Sequence, residues 1–268
     1  MEFNYWRLDM NTEIYFFSGT GNSHYIAKTL ADGLENSTLI HIPALDLSKE
    51  IHSEADVIGI VFPIYFYDAP DIIKRFLDKL RVERTAYVFL YENFGGNGGN
   101  AIANCNKILS KNSVKLGNYF SIQLPDNCVL FKQTKAKNDA LLNASLKKLA
   151  SAIAHIKNFR TKIIPKTKFK YSIMSNEKLK NLSVSMMKFK EFKVEIDNCT
   201  SCGLCEKVCP VNNIKMEGSH PKFESNCEMC FACIHYCPSA CIKHGMIKKK
   251  KNYQYHNPNL SMIEVINK

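Results

Sequence analysis

The sequence predicts an α/β domain built on an open parallel sheet, followed by a small α+β unit rich in cysteine. Three observations carry this. Short apolar runs alternate with amphipathic stretches of helical period over residues 12–159. One run, "ADVIGIVFP" (55–63), is continuously apolar, as a strand covered on both faces must be. Eight cysteines then fall within 199–237 in a spacing that occurs twice.

The elements follow in order. "TEIYFFS" (12–18) is a first strand ending at "GTGN". "SHYIAKTLADGL" is a helix with Ile26, Leu30 and Leu34 on one face and Gly33 near its end. "STLIHI" (37–42) is a second strand, closed by Pro43, and residues 55–63 form the third. "PDIIKRFLDKL" (70–80) is a helix with proline at its start and Ile72, Ile73, Phe76, Leu77 and Leu80 inward. "TAYVFLYENF" (85–94) is a fourth strand, "NAIANCNKILS" a helix and "GNYFSIQL" (117–124) a fifth strand. A long helix over 138–159 closes the series, its apolar stripe made of Leu142, Leu146, Leu149, Ile153 and Ile156. Residues 160–192 break the rhythm with many lysines and Pro165, and read as a linker with some helix. The last stretch, "NPNLSMIEVI", is expected to pack back on a domain.

The cysteine region contains "CTSCGLCEKVCP" (199–210) and "CEMCFACIHYCP" (227–238), each C-x-x-C-x-x-C-x-x-x-C-P. Eleven cysteines in a chain whose first residues lack an apolar signal region argue against disulfides and for metal or redox chemistry. Tetrahedral zinc takes four ligands, usually from two separated C-x-x-C knuckles, whereas three cysteines at intervals of three suit three corners of a cubane. The pattern resembles two-cluster bacterial ferredoxins over its whole short length, and in that family the fourth cysteine ligates the other cluster. The resemblance implies Cys199, Cys202, Cys205 and Cys237 for one [4Fe–4S] cluster, and Cys227, Cys230, Cys233 and Cys209 for a second. Gly203 suits the tight turn around a cluster, and Pro210 and Pro238 redirect the chain after each crossing cysteine. Cys241, Cys105 and Cys128 read as buried or indifferent thiols.

The other chemical motif is "FFSGTGNSHYIA", which places Ser18, Gly19, Thr20, Gly21, Asn22 and Ser23 between a strand and a helix. Backbone N–H groups at a helix start, with hydroxyls nearby, suit a phosphate. The G-K-[ST] element of a Walker loop is missing, and His24 stands where a dinucleotide fingerprint has its third glycine. The S-x-T-G-N-S pattern resembles the FMN phosphate loop of flavodoxins, over about residues 12–159. That family implies a five-stranded sheet of order 2-1-3-4-5 with the ligand at its switch point. By the same resemblance the isoalloxazine ring falls to the loops after the third and fourth strands. Pro63, Tyr65, Phe66 and Tyr67 are the candidates in the first, with the stacking aromatic left open. Asn93, Phe94, Gly95 and Gly96 are those in the second, which is glycine-rich where free flavodoxins are acidic and aromatic.

The whole resembles fused flavodoxin-like and ferredoxin proteins of anaerobic bacteria. The expected organisation is a flavodoxin-like FMN-binding domain (1–159), a basic linker (160–193), a two-[4Fe–4S] ferredoxin domain (194–245) and a C-terminal tail (246–268). Met10, in "MNTEIYFF", stands as a second candidate for the translation start. The formal charge of +11 is uneven. Residues 1–125 hold 11 basic and 14 acidic side chains, 126–195 hold 16 and 5, and 196–268 hold 9 and 6. The excess lies in the middle segment, which lacks the interleaved aromatics of a nucleic-acid reader and better suits steering of an acidic redox partner. The longest apolar run, 57–67, is too short to span a bilayer and is broken by Pro63, so a cytoplasmic protein without membrane contact is expected. His24, His155, His235 and His244 are scattered beside no catalytic constellation, and no second nucleotide motif marks an NAD(P)H site. The expected function is electron transfer between FMN, two [4Fe–4S] clusters and external proteins. The alternative is a ferredoxin carrier whose flavodoxin-like half has lost flavin and serves for docking.

Overall fold

The computed structural model describes residues 10–129, 132–174, 176–186, 190–244 and 253–266. The residues before the alternative start at Met10, and part of the expected linker and tail, lie outside them. The α/β part runs β1 (Thr12–Phe16), α1 (Asn22–Gly33), β2 (Ser37–His41), β3 (Ile51–Ser53), β4 (Val57–Pro63), α2 (Asp71–Lys79), β5 (Leu80–Val82), β6 (Tyr87–Phe94), α3 (Ala101–Lys111), β7 (Leu116–Gln123) and α4 (Lys135–Lys157). Five strands form one parallel sheet in the order β2-β1-β4-β6-β7, with Thr12 opposite both Ser37 and Val57. Counting these strands alone, the order is 2-1-3-4-5, the flavodoxin-like arrangement. The short strands β3 and β5, absent from the sequence reading, pair with each other in a separate parallel ribbon.

Strand side chains alternate between two cores, which is what a doubly covered sheet requires. Ile14 and Phe16 of β1 face α1 and α4, packing with Ile26, Leu30, Leu142, Leu149 and Ile156. Tyr15 and Phe17 face α2 and α3, packing with Ile73, Phe76, Leu77, Ile102 and Leu109. One expected stripe position fails: Leu146 of α4 is 55% exposed, and Ser145 is buried in its stead, its hydroxyl donating to the Leu142 carbonyl. Leu146 lies at the edge of the stripe, where α4 turns from the sheet to solvent.

The expected linker holds two short helices, α5 (Phe169–Met174) and α6 (Glu177–Met186). The cysteine region then contains β8 (Phe192–Val194), α7 (Leu204–Lys207), β9 (Ile214–Glu217), β10 (His220–Phe223), α8 (Ala232–His235) and β11 (Ile242–His244). β8 and β11 pair antiparallel, tying its two ends together, and β9 and β10 form a hairpin. α9 (Met262–Ile266) packs back on the α/β part through an ion pair from Lys28 to Glu264. Among the described residues no helix is long and apolar enough to cross a membrane.

Candidate functional site

The cysteine repeat is also a repeat of backbone. Ser201 and Met229, Gly203 and Phe231, and Asn212 and Ala240 occupy matched places in its halves, and all six have φ between 51° and 69°. A left-handed conformation costs an ordinary residue roughly 1–2 kcal/mol. Phe231 tolerates it where its counterpart is glycine, so the turn outweighs local preference. Strain of this kind collects at functional sites. These turns aim N–H groups at sulfur: Asn213 N lies 3.2 Å from Cys209 Sγ, and Met229 N lies 3.3 Å from Cys227 Sγ. Each left-handed residue at Gly203 and Phe231 also opens a one-turn helix, α7 or α8, which carries the third cysteine.

One cavity is lined by Cys199, Cys202, Cys205 and Cys237, the set expected for the first cluster. Cys241 lines it too, its Sγ 3.5 Å from that of Cys237. Cysteines of both sets share one apolar cluster with Met229 and Phe231, and Cys209, Cys227 and Cys230 lie within electrostatic reach of Cys233, as does Cys205 of the first set. Burial pushes the Cys205 thiol up to about 11 and the Cys241 thiol up to about 12. Thiols so held stay protonated near neutrality, so a metal they bind displaces protons. The donor sets are all sulfur, with N–H groups beside two of the sulfurs, and fit an iron–sulfur cubane. Among the described residues no three His, Cys, Asp or Glu side chains gather closely enough for a single metal ion.

The glycine loop lies where the sheet order reverses, at the C-terminal ends of β1 and β4. A cavity there is lined by Ser18, Gly19, Thr20, Asn22, Ser23, Pro63, Tyr65, Asn93, Phe94 and Gly95. Three separate loops thus converge on one cavity. Gly21, Phe66, Tyr67 and Gly96 do not line it. Tyr67 stacks on Tyr171 of α5 at 5.3 Å, and Phe66 packs against the apolar cluster of the cysteine region. Ile64, Pro125, Asp126 and Asn127 also line the cavity, and the sequence reading missed them. Their only signal was "PDN" at the C-terminal edge of the fifth strand, the edge that carries ligands in such sheets.

Several backbone N–H groups of this buried loop have no acceptor among the described residues. Ser18 Oγ accepts from Gly21 N at 3.1 Å, but the N–H groups of Gly19, Thr20, Asn22 and Ser23 find no acceptor among the described residues. Buried backbone donors are nearly always paired, so four together make an anion site. Asn93 Nδ2 donates to Ser23 Oγ at 2.7 Å and to the Phe62 carbonyl, fixing one wall. The Tyr65 hydroxyl is buried beside Asn127 without a well-formed hydrogen bond, and burial raises its pKa well above the ordinary value. The donor set fits a phosphate. The cavity offers about 40 Å³, room for a few waters and short of a flavin ring.

Two other segments pack against the glycine loop. The second cysteine loop sits on the glycine loop, where a Cβ on Gly19 would fall 2.7 Å from Cys230 Cβ and 2.8 Å from the Cys230 carbonyl oxygen. Glu228, one turn earlier, accepts from Ile72 N at 3.3 Å and from Arg75 Nη2 at 2.9 Å, anchoring this loop to the start of α2. The tail closes the other side. Asn257 N donates to the Thr20 carbonyl at 2.8 Å, and Tyr255 Oη and Asn257 Nδ2 both donate to Asn22 Oδ1. His235 joins all three parts: its Nδ1 accepts from Tyr255 N and its Nε2 donates to the Asn127 carbonyl, 2.6 Å away.

Comparison with known proteins supports the cysteine region directly, since residues 192–215 match the model of the 4Fe-4S binding domain. No curated protein matches the chain. Solved structures with a similar fold include the flavodoxin of Megasphaera elsdenii, at 18% identity over 53% of this chain and 98% of that one, with a TM-score of 0.35. A flavodoxin of Streptococcus pneumoniae gives 16% over 53% and 98%, with a TM-score of 0.34. One from the domain Archaea gives 15% over 55% and 100%, with a TM-score of 0.33. The fold assignment rests on the strand order, and likenesses of this strength add nothing to it. The chain joins a flavodoxin-like sheet to a ferredoxin-type 4Fe–4S region, a combination suited to electron transfer.

Proposed function

We propose that this is a cytoplasmic electron-transfer protein that couples FMN to two [4Fe–4S] clusters and exchanges electrons with partner proteins. The observation that carries the proposal is the contact of Gly19, in the phosphate-type loop, with Cys230, in the second cysteine set. Cofactors held by those two loops would be immediate neighbours. Cys199, Cys202, Cys205 and Cys237 hold one cluster in this reading, and Cys209, Cys227, Cys230 and Cys233 the other. FMN, when bound, exchanges one or two electrons where each cluster moves one. The N–H groups of Gly19, Thr20, Asn22 and Ser23 bind its phosphate, helped by the hydroxyls of Ser18 and Thr20. Asn93, Phe94 and Gly95 border the ring position in this reading, and Tyr65, which lines the cavity and lies within electrostatic reach of Cys227 and Cys230, would exclude water there.

The second reading is a ferredoxin carrier whose flavodoxin-like half serves for docking. The cavity, about 40 Å³, is too small for a flavin ring and favours it. Gentle anaerobic purification followed by flavin release separates the two. FMN equimolar with the chain supports the first, and cluster-replete protein that takes up no added FMN supports the second. Clusters absent after anaerobic purification and reconstitution would defeat both.

A further inference from the structure

Five thiols line the first cysteine cavity, and a cubane has four corners to fill. We propose that Cys241 is a reserve ligand for that cluster, able to take the iron corner of Cys237. The proposal rests on the reading that Cys199, Cys202, Cys205 and Cys237 hold a cluster. Cys241 is 2% exposed, lines the same cavity and has its sulfur 3.5 Å from that of Cys237. Its carbonyl accepts from Glu195 N at 2.9 Å just before β11 pairs with β8, and its own N–H donates to the Cys237 sulfur. Cys237 is held differently, in the turn at Pro238, where its carbonyl accepts from Ala240 N and Gln254 Nε2 and its sulfur lies 3.6 Å from Ser239 Oγ.

The exchange is redox-neutral. The bond from iron to Cys237 Sγ breaks, one from iron to Cys241 Sγ forms, and the Cys241 thiol proton passes to the released Cys237 thiolate. Thiolate replaces thiolate, so the cluster keeps its charge and needs no oxidant. Cys241 lies outside both repeats, where its position marks it only as a small apolar residue near a cluster, and the fold turns it into the cavity.

The test uses the full chain purified without oxygen, with iron, sulfide and the electron paramagnetic resonance spectrum of the reduced protein as readouts. Cys241→Ala is expected to keep the wild-type iron. Cys237→Ala is expected to keep it too, with an altered spectrum from the moved ligand. The double variant is expected to lose about half the iron, one cluster of two. Cys237→Ser, nearly isosteric, guards against misfolding and is expected to lose iron only when Cys241→Ala is added. Cys237→Ala and Cys237→Ser each losing as much iron as their doubles would overturn the reserve role while leaving the cluster assignment standing. A double variant with full iron would overturn both.

Discussion

Gly19→Ala tests the contact that brings the two halves together. The added Cβ would meet Cys230 Cβ at 2.7 Å, its carbonyl oxygen at 2.8 Å and its Sγ at 3.3 Å. Nonbonded carbons sit best at about 3.5–4.0 Å, so one loop must retreat by roughly 1 Å. Neither of the two closest atoms is the end of a flexible side chain, so the retreat is of backbone. Overpacking of this kind costs about 1–3 kcal/mol. Alanine recovers at most about 1 kcal/mol by restricting the unfolded chain, so destabilisation wins. In a chain of this size each kcal/mol lowers Tm by about 2–4 °C, which predicts a fall of several degrees. Gly96→Ala is the control, because its Cβ would meet nothing within 4 Å. The assay is calorimetry without oxygen at one fixed scan rate, since unfolding of such proteins is seldom reversible. A Gly19→Ala protein melting with wild type and Gly96→Ala would refute the contact.

Three further outcomes follow from buried or charged groups. Burial pushes His235 down to about 4. Between about pH 6.5 and 4 the unfolded chain therefore binds a proton that the folded one refuses, and stability falls as pH drops through that window, by up to about 3 kcal/mol. His235→Gln should flatten that slope in denaturant midpoints, and an unchanged slope would deny the buried neutral imidazole. Burial raises Glu92 to about 7 despite the hydrogen bond from Ser121. Its contribution has the opposite sign, complete below about pH 4.5 and lost as pH rises to 7, so Glu92→Gln should gain up to about 3 kcal/mol over wild type at pH 8 and little at pH 5. Finally, if the lysines of 166–193 steer an acidic partner, its rate of reducing the protein should fall as salt rises from 50 to 300 mM. A rate indifferent to salt would remove that role.

What the sequence made legible was local. The cysteine spacing and the S-G-T-G-N-S loop place their groups within a few residues of one another, so the turns they form are properties of single short segments. The central strand β4 was legible because a doubly covered strand is apolar on consecutive residues, as 57–62 is, whereas β2 is half-buried and β7 alternates. What escaped was set by contacts between distant segments. Tyr255 and Asn257 reach Asn22 across more than 230 residues, and no pattern in "YQYHNPN" announces this. Asp126 and Asn127 join the cavity only because β7 ends beside it. Phe231 shows the limit most clearly, since an aromatic side chain gives no sign of a left-handed backbone until its counterpart Gly203 is aligned with it.

Metal, sulfide and flavin analysis of the anaerobically purified full-length chain bears most directly on the proposed function. The account predicts two clusters' worth of iron with an equal amount of acid-labile sulfide, and FMN in a one-to-one ratio. Stoichiometric zinc with no labile sulfide would contradict it outright.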